Sequence, residues 1–375
     1  MNLFEPLALE AYHALTPEEL TRRIQAVRDR LGSKLVILGH HYQRDEVIAM
    51  ADLRGDSFQL SKMVAESEAC ETIVFCGVHF MAETADILAN RPERLAQRAG
   101  KRVPVILPDL EAGCSMADMA DDEQVEACWE QLAEVIDINE VTPVTYVNST
   151  AALKAFCGRH GGIVCTSSNA RQVLEWAMAQ RPRVLFFPDQ HLGRNTALTM
   201  GIPVEAMPVW DPAAGPLGGN TAEQLRDGRV YLWQGYCDVH QKFLPEHVDQ
   251  LRRETPDVRV IVHPECMREV VDPANLSGST GKIITEVEAA SAGTKWAIGT
   301  EVHLVDRLKQ EHPEQEIQLL GQADSLCPTM DRINLANLCW SLEHLAAGNP
   351  VNIIRVDDET ARDALTALER MLEVA

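Results

Sequence analysis

The chain has 375 residues, more than one hydrophobic core usually serves, so two or three domains are expected. Apolar residues make up 46% and the net charge is −22, which marks a globular chain and excludes the concentrated basic surface that nucleic-acid binding requires. No apolar run approaches the roughly 18 residues of a membrane span, and the amino terminus lacks the basic-then-apolar pattern of a signal peptide. A cytoplasmic location is therefore expected, where the ten cysteines would serve packing, metal binding or catalysis rather than disulfides.

In chain order, Thr16 precedes a helical pattern over Pro17–Leu31, with the hydroxyl as N-cap and proline at the first helical position. Next comes a strand-like run, KLVILGHHY over Lys34–Tyr42, then Gly55-Asp56-Ser57, then TIVFCGVH over Thr72–His79, then VPVIL over Val103–Leu107 and Cys114. The series then repeats. Its second copy reads TPVTYVN over Thr142–Asn148, Thr166-Ser167-Ser168, VLFFPDQH over Val184–His191, VYLW over Val230–Trp233 and Cys237. The third reads VRVIVHPE over Val258–Glu265, Gly278-Ser279-Thr280, WAIGTEVH over Trp296–His303, EIQLL over Glu316–Leu320 and Cys327.

From the polar anchor of the first strand (His40, Asn148, His263) to the hydroxyl cluster is 17, 19 and 16 residues, and onward to the histidine 22, 24 and 24. One supersecondary unit copied three times explains this, and three long copies are too few for a solenoid. The runs are short and apolar on both faces, as in parallel strands covered on both sides. Helical patterns lie between them at 45–53, 57–67, 151–159, 170–179 and 282–290, giving βαβα alternation. The predicted fold is α/β: three three-layer αβα domains, each with a small parallel sheet, related by a pseudo-threefold axis around a central cavity. The expected domains are 1–115, 116–237 and 238–329, with helices over 330–347 and 359–374 packing back on the first.

In such sheets, ligand-binding groups gather beyond the carboxyl ends of the strands. His40, Tyr42, Tyr146, Asn148, His263 and Glu265 fall there, and Ser57, Ser167 and Ser279 each precede a helical stretch that they can cap while offering an anion free N–H groups. His79, His191 and His303 are read as ends of the third strands with structural hydrogen bonds, and Asp189 as fixing the PDQHLG turn. One cysteine per repeat suits a cubane cluster with one iron left open. A zinc site would instead be expected to close with four ligands, commonly from CxxC pairs, and the chain has no such pair. The remaining cysteines match nothing in the other copies and are read as packing thiols. On the residues alone, a cluster-dependent dehydratase of a small hydroxy acid, a non-enzymatic iron-sulfur redox sensor and a zinc protein all remain open.

The strings GHHYQRDEV, GDSFQLSK, VHFMAETADIL, EAGCSMADM, YVNSTAALKA, CTSSNA, FPDQHLGRN, WQGYCDVH, VHPEC, SGSTGKI and LCPTM, spread over almost the whole chain, resemble the quinolinate synthase family of NAD biosynthesis. The resemblance implies three similar αβα domains around a 4Fe-4S cluster held by Cys114, Cys237 and Cys327. It implies condensation of iminoaspartate with dihydroxyacetone phosphate to quinolinate, with loss of phosphate and water, an open iron acting as Lewis acid. It makes L-aspartate oxidase or aspartate dehydrogenase the functional partner. By match to the family's motifs, Tyr42, His240 and Glu265 are the expected acid–base groups, and His40, Ser57, Tyr146, Asn148, Ser167, His263, Ser279 and Thr280 the substrate contacts. Around Cys327 the chain departs from members that carry CxxCxxC, so a thiol switch built on that motif is not expected.

Overall fold

The computed structural model describes residues 6–66, 70–321 and 324–374. It divides into two compact units, Met1–Cys114 with Leu326–Asp357, and Ser115–Ser325 with Asp358–Ala375. No helix among the described residues is long and apolar enough to cross a membrane.

The first unit holds strands β1 (Leu35–His40), β2 (Leu53–Gly55), β3 (Thr72–Cys76), β4 (Val105–Ile106) and β14 (Ile353–Ile354) in the order β14-β4-β3-β1-β2. The first four are parallel and β14 runs antiparallel to β4. Thr16 caps the helix Pro17–Leu31 as expected, accepting from the Glu19 N–H. Leu20, Ile24 and Val27 recur at helical spacing on its buried face. That helix packs on Leu335–Ala346, whose Glu343 is fully buried. Glu343 accepts both forks of the Arg23 guanidinium at 2.8 Å and the hydroxyl of Tyr12. Burial, together with this bond, pushes the Tyr12 phenol up to about 12.

The second unit carries two all-parallel sheets. One contains β5 (Val141–Tyr146), β6 (Ile163–Cys165), β7 (Arg183–Phe187), β8 (Val209–Trp210) and β9 (Val230–Trp233) in the order β6-β5-β7-β9-β8. The other contains β10 (Arg259–Val262), β11 (Leu276–Ser277), β12 (Lys295–Gly299) and β13 (Glu316–Leu319) in the order β11-β10-β12-β13. Counted within each copy of the sequence repeat, the strand order is 2-1-3-4 all three times, with β14 and β8 as edge additions. The repeat is thus a repeat of topology.

Several local expectations are corrected. The second strand of each copy is only two or three residues long, and the helical pattern through Leu53 in fact ends at Ile48, before β2 begins. His79, His191 and His303 do not end the third strands. Those strands stop at Cys76, Phe187 and Gly299, and the histidines open the following helices, His79–Ala89, Gln190–Thr199 and Val302–Glu311.

The two C-terminal helices separate. Leu335–Ala346 packs in the first unit, whereas Asp358–Val374 lies against Ala151–Arg159 in the second. Gly158 permits this approach, because a Cβ there would stand 1.9 Å from the Asp363 carbonyl oxygen. Arg159 pairs with Asp363 at 3.6 Å, and the Arg370 guanidinium donates to the Gly162 carbonyl at 2.6 Å. Because the obstructing atom is backbone, Gly158→Ala is expected to destabilise the protein by about 1–3 kcal/mol, the usual range for overpacking. Denaturant unfolding of wild type and variant measures this, and an unchanged midpoint would contradict the close packing.

Candidate active site

At the carboxyl edge of β10, the chain leaves the ladder as His263-Pro264-Glu265. Glu265 is 2% exposed, and both carboxylate oxygens are engaged: the Tyr146 hydroxyl, at the end of β5, donates to Oε1 at 2.5 Å, and His240 Nδ1 lies 3.1 Å from Oε2. Burial opposes the charge of Glu265, but His263, His240 and these two hydrogen bonds outweigh it and hold the carboxyl down at about 2. His263 is itself driven neutral, to about 3, chiefly by burial.

The imidazoles of His240 and His263 stack, with centroids 4.5 Å apart and planes inclined by 21°. Their environments select opposite tautomers. An ionised Glu265 requires the proton of His240 on Nδ1, with Nε2 3.4 Å from the Thr300 hydroxyl. His263 Nδ1 instead accepts from the Glu265 N–H at 3.4 Å, which places its own proton on Nε2. Cys237 Sγ belongs to the same cluster: it, a His240 nitrogen and a Glu265 oxygen all lie within 4.8 Å of one another. This is a set of sulfur, nitrogen and oxygen donors suited to a metal.

Tyr146, Cys237, His240, His263 and Glu265 are therefore brought together. Asn148, also at the edge of the β5 sheet, keeps a buried Oδ1 with no hydrogen-bond partner, an acceptor suited to a ligand donor. Ser279 and Thr280 are buried beyond β11, and Ser279 caps its helix by accepting from the Lys282 N–H at 3.3 Å. The capping expectation fails for the other two serines. Asp56 caps the helix that starts at Ser57, its Oδ1 accepting from the Gln59 N–H at 2.9 Å, because a carboxylate one residue earlier reaches that N–H. Ser167 lies in a turn organised by Asn169, whose Oδ1 takes the Thr166 N–H and hydroxyl. In the first unit His40 and Tyr42 form a pair: the Tyr42 N–H donates to His40 Nδ1 at 3.1 Å, and the rings meet edge-on at 4.8 Å.

The cysteines divide by exposure. Cys114, Cys237 and Cys327 are half-buried, whereas the other seven are buried. Burial raises those seven thiols, Cys76 and Cys339 to about 12, and withholds the thiolate that metal binding needs. Cys266, although next to Glu265, points into the apolar core with Val260, Val262 and Val270. The three half-buried cysteines share one further feature. Each is followed three residues later by a single 3₁₀ turn, at Ala117–Met119, His240–Lys242 and Met330–Arg332. The donor set fits a thiolate-held metal group.

A model of the family described as quinolinate synthetase A protein matches residues 22–373. The chain belongs to that family. It is 65% identical over 366 residues to a quinolinate synthase of Rhodopirellula baltica, covering 98% of this chain and 93% of the relative. It is 54% identical to one of Corynebacterium glutamicum, covering 97% and 90%, and 51% identical to one of Halalkalibacterium halodurans, covering both chains completely. Membership of the quinolinate synthetase A family makes the protein an enzyme and sets aside the reading as a non-enzymatic sensor.

Two residues near His240 and Glu265 had no place in the expected site. Thr300 follows β12 directly, and the rule of carboxyl-end placement would have found it. Asp189, read in the sequence as fixing the PDQHLG turn, caps the helix that follows, accepting from the Leu192 N–H at 2.7 Å, and its buried Oδ2 has no partner. Burial and nearby Glu265 push this carboxyl well above the ordinary range. His191 Nδ1 is likewise buried without a partner, contrary to its expected structural bond, and burial lowers the ring to about 4.

The shifts of His263, His191 and Glu265 share one sign in stability, and the raised carboxyl of Asp189 has the opposite one. An unfolded histidine takes a proton near pH 6.5, whereas folded His263 and His191 resist it until about 3 and 4, so their contribution is full above about 6.5 and is lost as pH falls. Glu265 adds a second loss from about 4.5 downward. Between pH 6.5 and 4 the unfolding midpoint is expected to fall more steeply in wild type than in His263→Asn; equal slopes would contradict a buried neutral His263.

Proposed function

We propose that the protein is a transferase that condenses iminoaspartate with dihydroxyacetone phosphate to give quinolinate, releasing phosphate and water. The observation that carries this reading is the buried Glu265 carboxylate held by Tyr146 and His240 beside Cys237, in a chain of the quinolinate synthetase A family. Cys114, Cys237 and Cys327 are the proposed ligands of a 4Fe-4S cluster, supported by their shared place in the repeat and their shared exposure. When bound, such a cluster with three protein ligands supplies a Lewis-acidic iron for a substrate oxygen.

The chain's own groups account for the proton traffic. Joining the two substrates requires loss of a proton from carbon, and loss of phosphate and water requires protons delivered to leaving oxygens. Glu265 is kept ionised and so is set to accept a proton at a carboxylate oxygen. Tyr146 and His240 already share hydrogen bonds with that carboxylate and can pass protons onward. His263 offers Nε2–H as a donor, and Asn148 Oδ1 an acceptor, to a bound anion that also carries an N–H or O–H. Ser167, Ser279 and Thr280 in this unit, and His40, Tyr42 and Ser57 in the first, supply further neutral donors. Neutral donors suit dianionic substrates on a chain of net charge −22. Iminoaspartate would come from an aspartate oxidase or dehydrogenase.

Anaerobically purified protein is expected to hold about four irons and four sulfides and to form quinolinate from the two substrates. Cys237→Ala should lose both properties. Glu265→Gln should keep its iron and sulfide while turnover falls by about 10²- to 10⁴-fold. A cluster-loaded wild type that makes no quinolinate, or a Glu265→Gln variant with full turnover, would refute the assignment.

A further inference from the structure

After β10 ends at Val262, the segment carrying Glu265 has left the sheet, and its backbone carbonyls must find partners elsewhere. Three consecutive carbonyls, those of Pro264, Glu265 and Cys266, are all taken by side-chain amides. Asn195 Nδ2 donates to the Pro264 oxygen at 2.8 Å and to the Cys266 oxygen at 2.9 Å. Gln241 Nε2 donates to the Glu265 oxygen at 3.1 Å. A primary amide has two N–H bonds, so Asn195 spends both on the carbonyls flanking Glu265. It is 7% exposed and sits on the helix Gln190–Thr199, which Asp189 starts at the end of β7. Gln241 stands next to His240 in the 3₁₀ turn that follows Cys237.

We propose that Asn195 and Gln241 are positioning residues that fix the backbone on either side of Glu265, and thereby place its carboxylate between Tyr146 and His240. The inference rests on the reading of Glu265 as the base. Two different anchors converge: one amide arrives from the helix after β7, the other from the turn bearing His240. Glu265 is thereby tied at its main chain to the same turn that its side chain bonds. The only hydrogen bond within the segment itself that joins its backbone groups is Cys266 N–H to the His263 oxygen at 3.0 Å, among the described residues. A turn held by so little of its own is placed by what grips it from outside. Aspartate at 195 would present oxygens where the amide now donates and would repel both carbonyls; alanine would leave both without a partner.

The experiment combines hydrogen–deuterium exchange with kinetics on cluster-loaded wild type, Asn195→Ala, Asn195→Asp and Gln241→Ala. In the Asn195 variants the peptide spanning 263–267 is expected to exchange about tenfold faster or more, with peptides of β7 and β10 unchanged and iron and sulfide retained. kcat should fall by about ten- to a hundredfold with KM for both substrates within about threefold. Combined with Glu265→Gln, Asn195→Ala should add less than about a twofold further loss, because it acts through that carboxylate. Gln241→Ala, which removes one bond rather than two, should show the same pattern more weakly, and it supplies the answer if both Asn195 variants fail to fold. Unchanged exchange at 263–267, or a full additional loss in the Glu265→Gln background, would overturn the proposal. If the wild type makes no quinolinate, the reaction assignment fails, while the exchange measurement still decides whether these amides hold the segment.

Discussion

An ionised carboxylate with 2% exposure is the constraint around which the second unit is arranged. Removing such a charge from water costs several kcal/mol, and the interior repays it only when the geometry of its partners is good. Glu265 has a donor on each oxygen, and the donors come from different places: Tyr146 from the end of β5, His240 from the turn after β9. The carboxylate therefore requires two sheets to bring their carboxyl edges together. In return, any motion that separates them leaves a buried charge without partners. The same burial that makes the group expensive keeps His263 neutral beside it.

Much of this was legible in the sequence because repetition converts weak signals into strong ones. A half-buried cysteine, a serine before a helix or a histidine after a strand is common, but the same items in one order three times point to one edge of one kind of sheet. The 2-1-3-4 strand order recurring in all three sheets is the physical form of that pattern. The second strand of each copy was not legible, since two or three residues such as Leu276–Ser277 carry no periodicity. The capping roles of Ser57 and Ser167 were misjudged because Asp56 and Asn169, close by in sequence, are equally able to organise a turn or helix start. The docking of Asp358–Val374 on Ala151–Arg159 depends on a missing Cβ at Gly158, a tertiary fact with no local signature.

Cysteine illustrates how structure refines a count. Ten thiols gave no disulfide framework, and the repeat alone selected three. Exposure selects the same three independently, because only a thiol reached by solvent or ligand can afford to ionise, and the other seven are pushed toward the inert form by burial. The 3₁₀ turn three residues after each selected cysteine shows that the copies preserve a backbone device as well as a residue type. In the second copy that turn has acquired His240 and Gln241, one bonding the side chain of Glu265 and the other its main-chain carbonyl.

Divergence within this preserved frame explains how a threefold repeat supports an asymmetric reaction. His40 and His263 occupy matching strand ends, and each uses Nδ1 to accept the N–H two residues on, so each is locked with its proton on Nε2. The residue two positions on differs: Tyr42 in the first copy, Glu265 in the third. The second copy replaces the histidine with Tyr146, and two positions on it carries Asn148, whose buried Oδ1 can only accept. One backbone position thus carries an imidazole twice and a phenol once, and the position two residues on carries a phenol, an amide and a carboxylate. A symmetric set of three identical sites could bind an anion but could not both remove and return protons at different atoms of it. The copied fold repeats the strand-end position, and the substitutions there vary the side chain it carries.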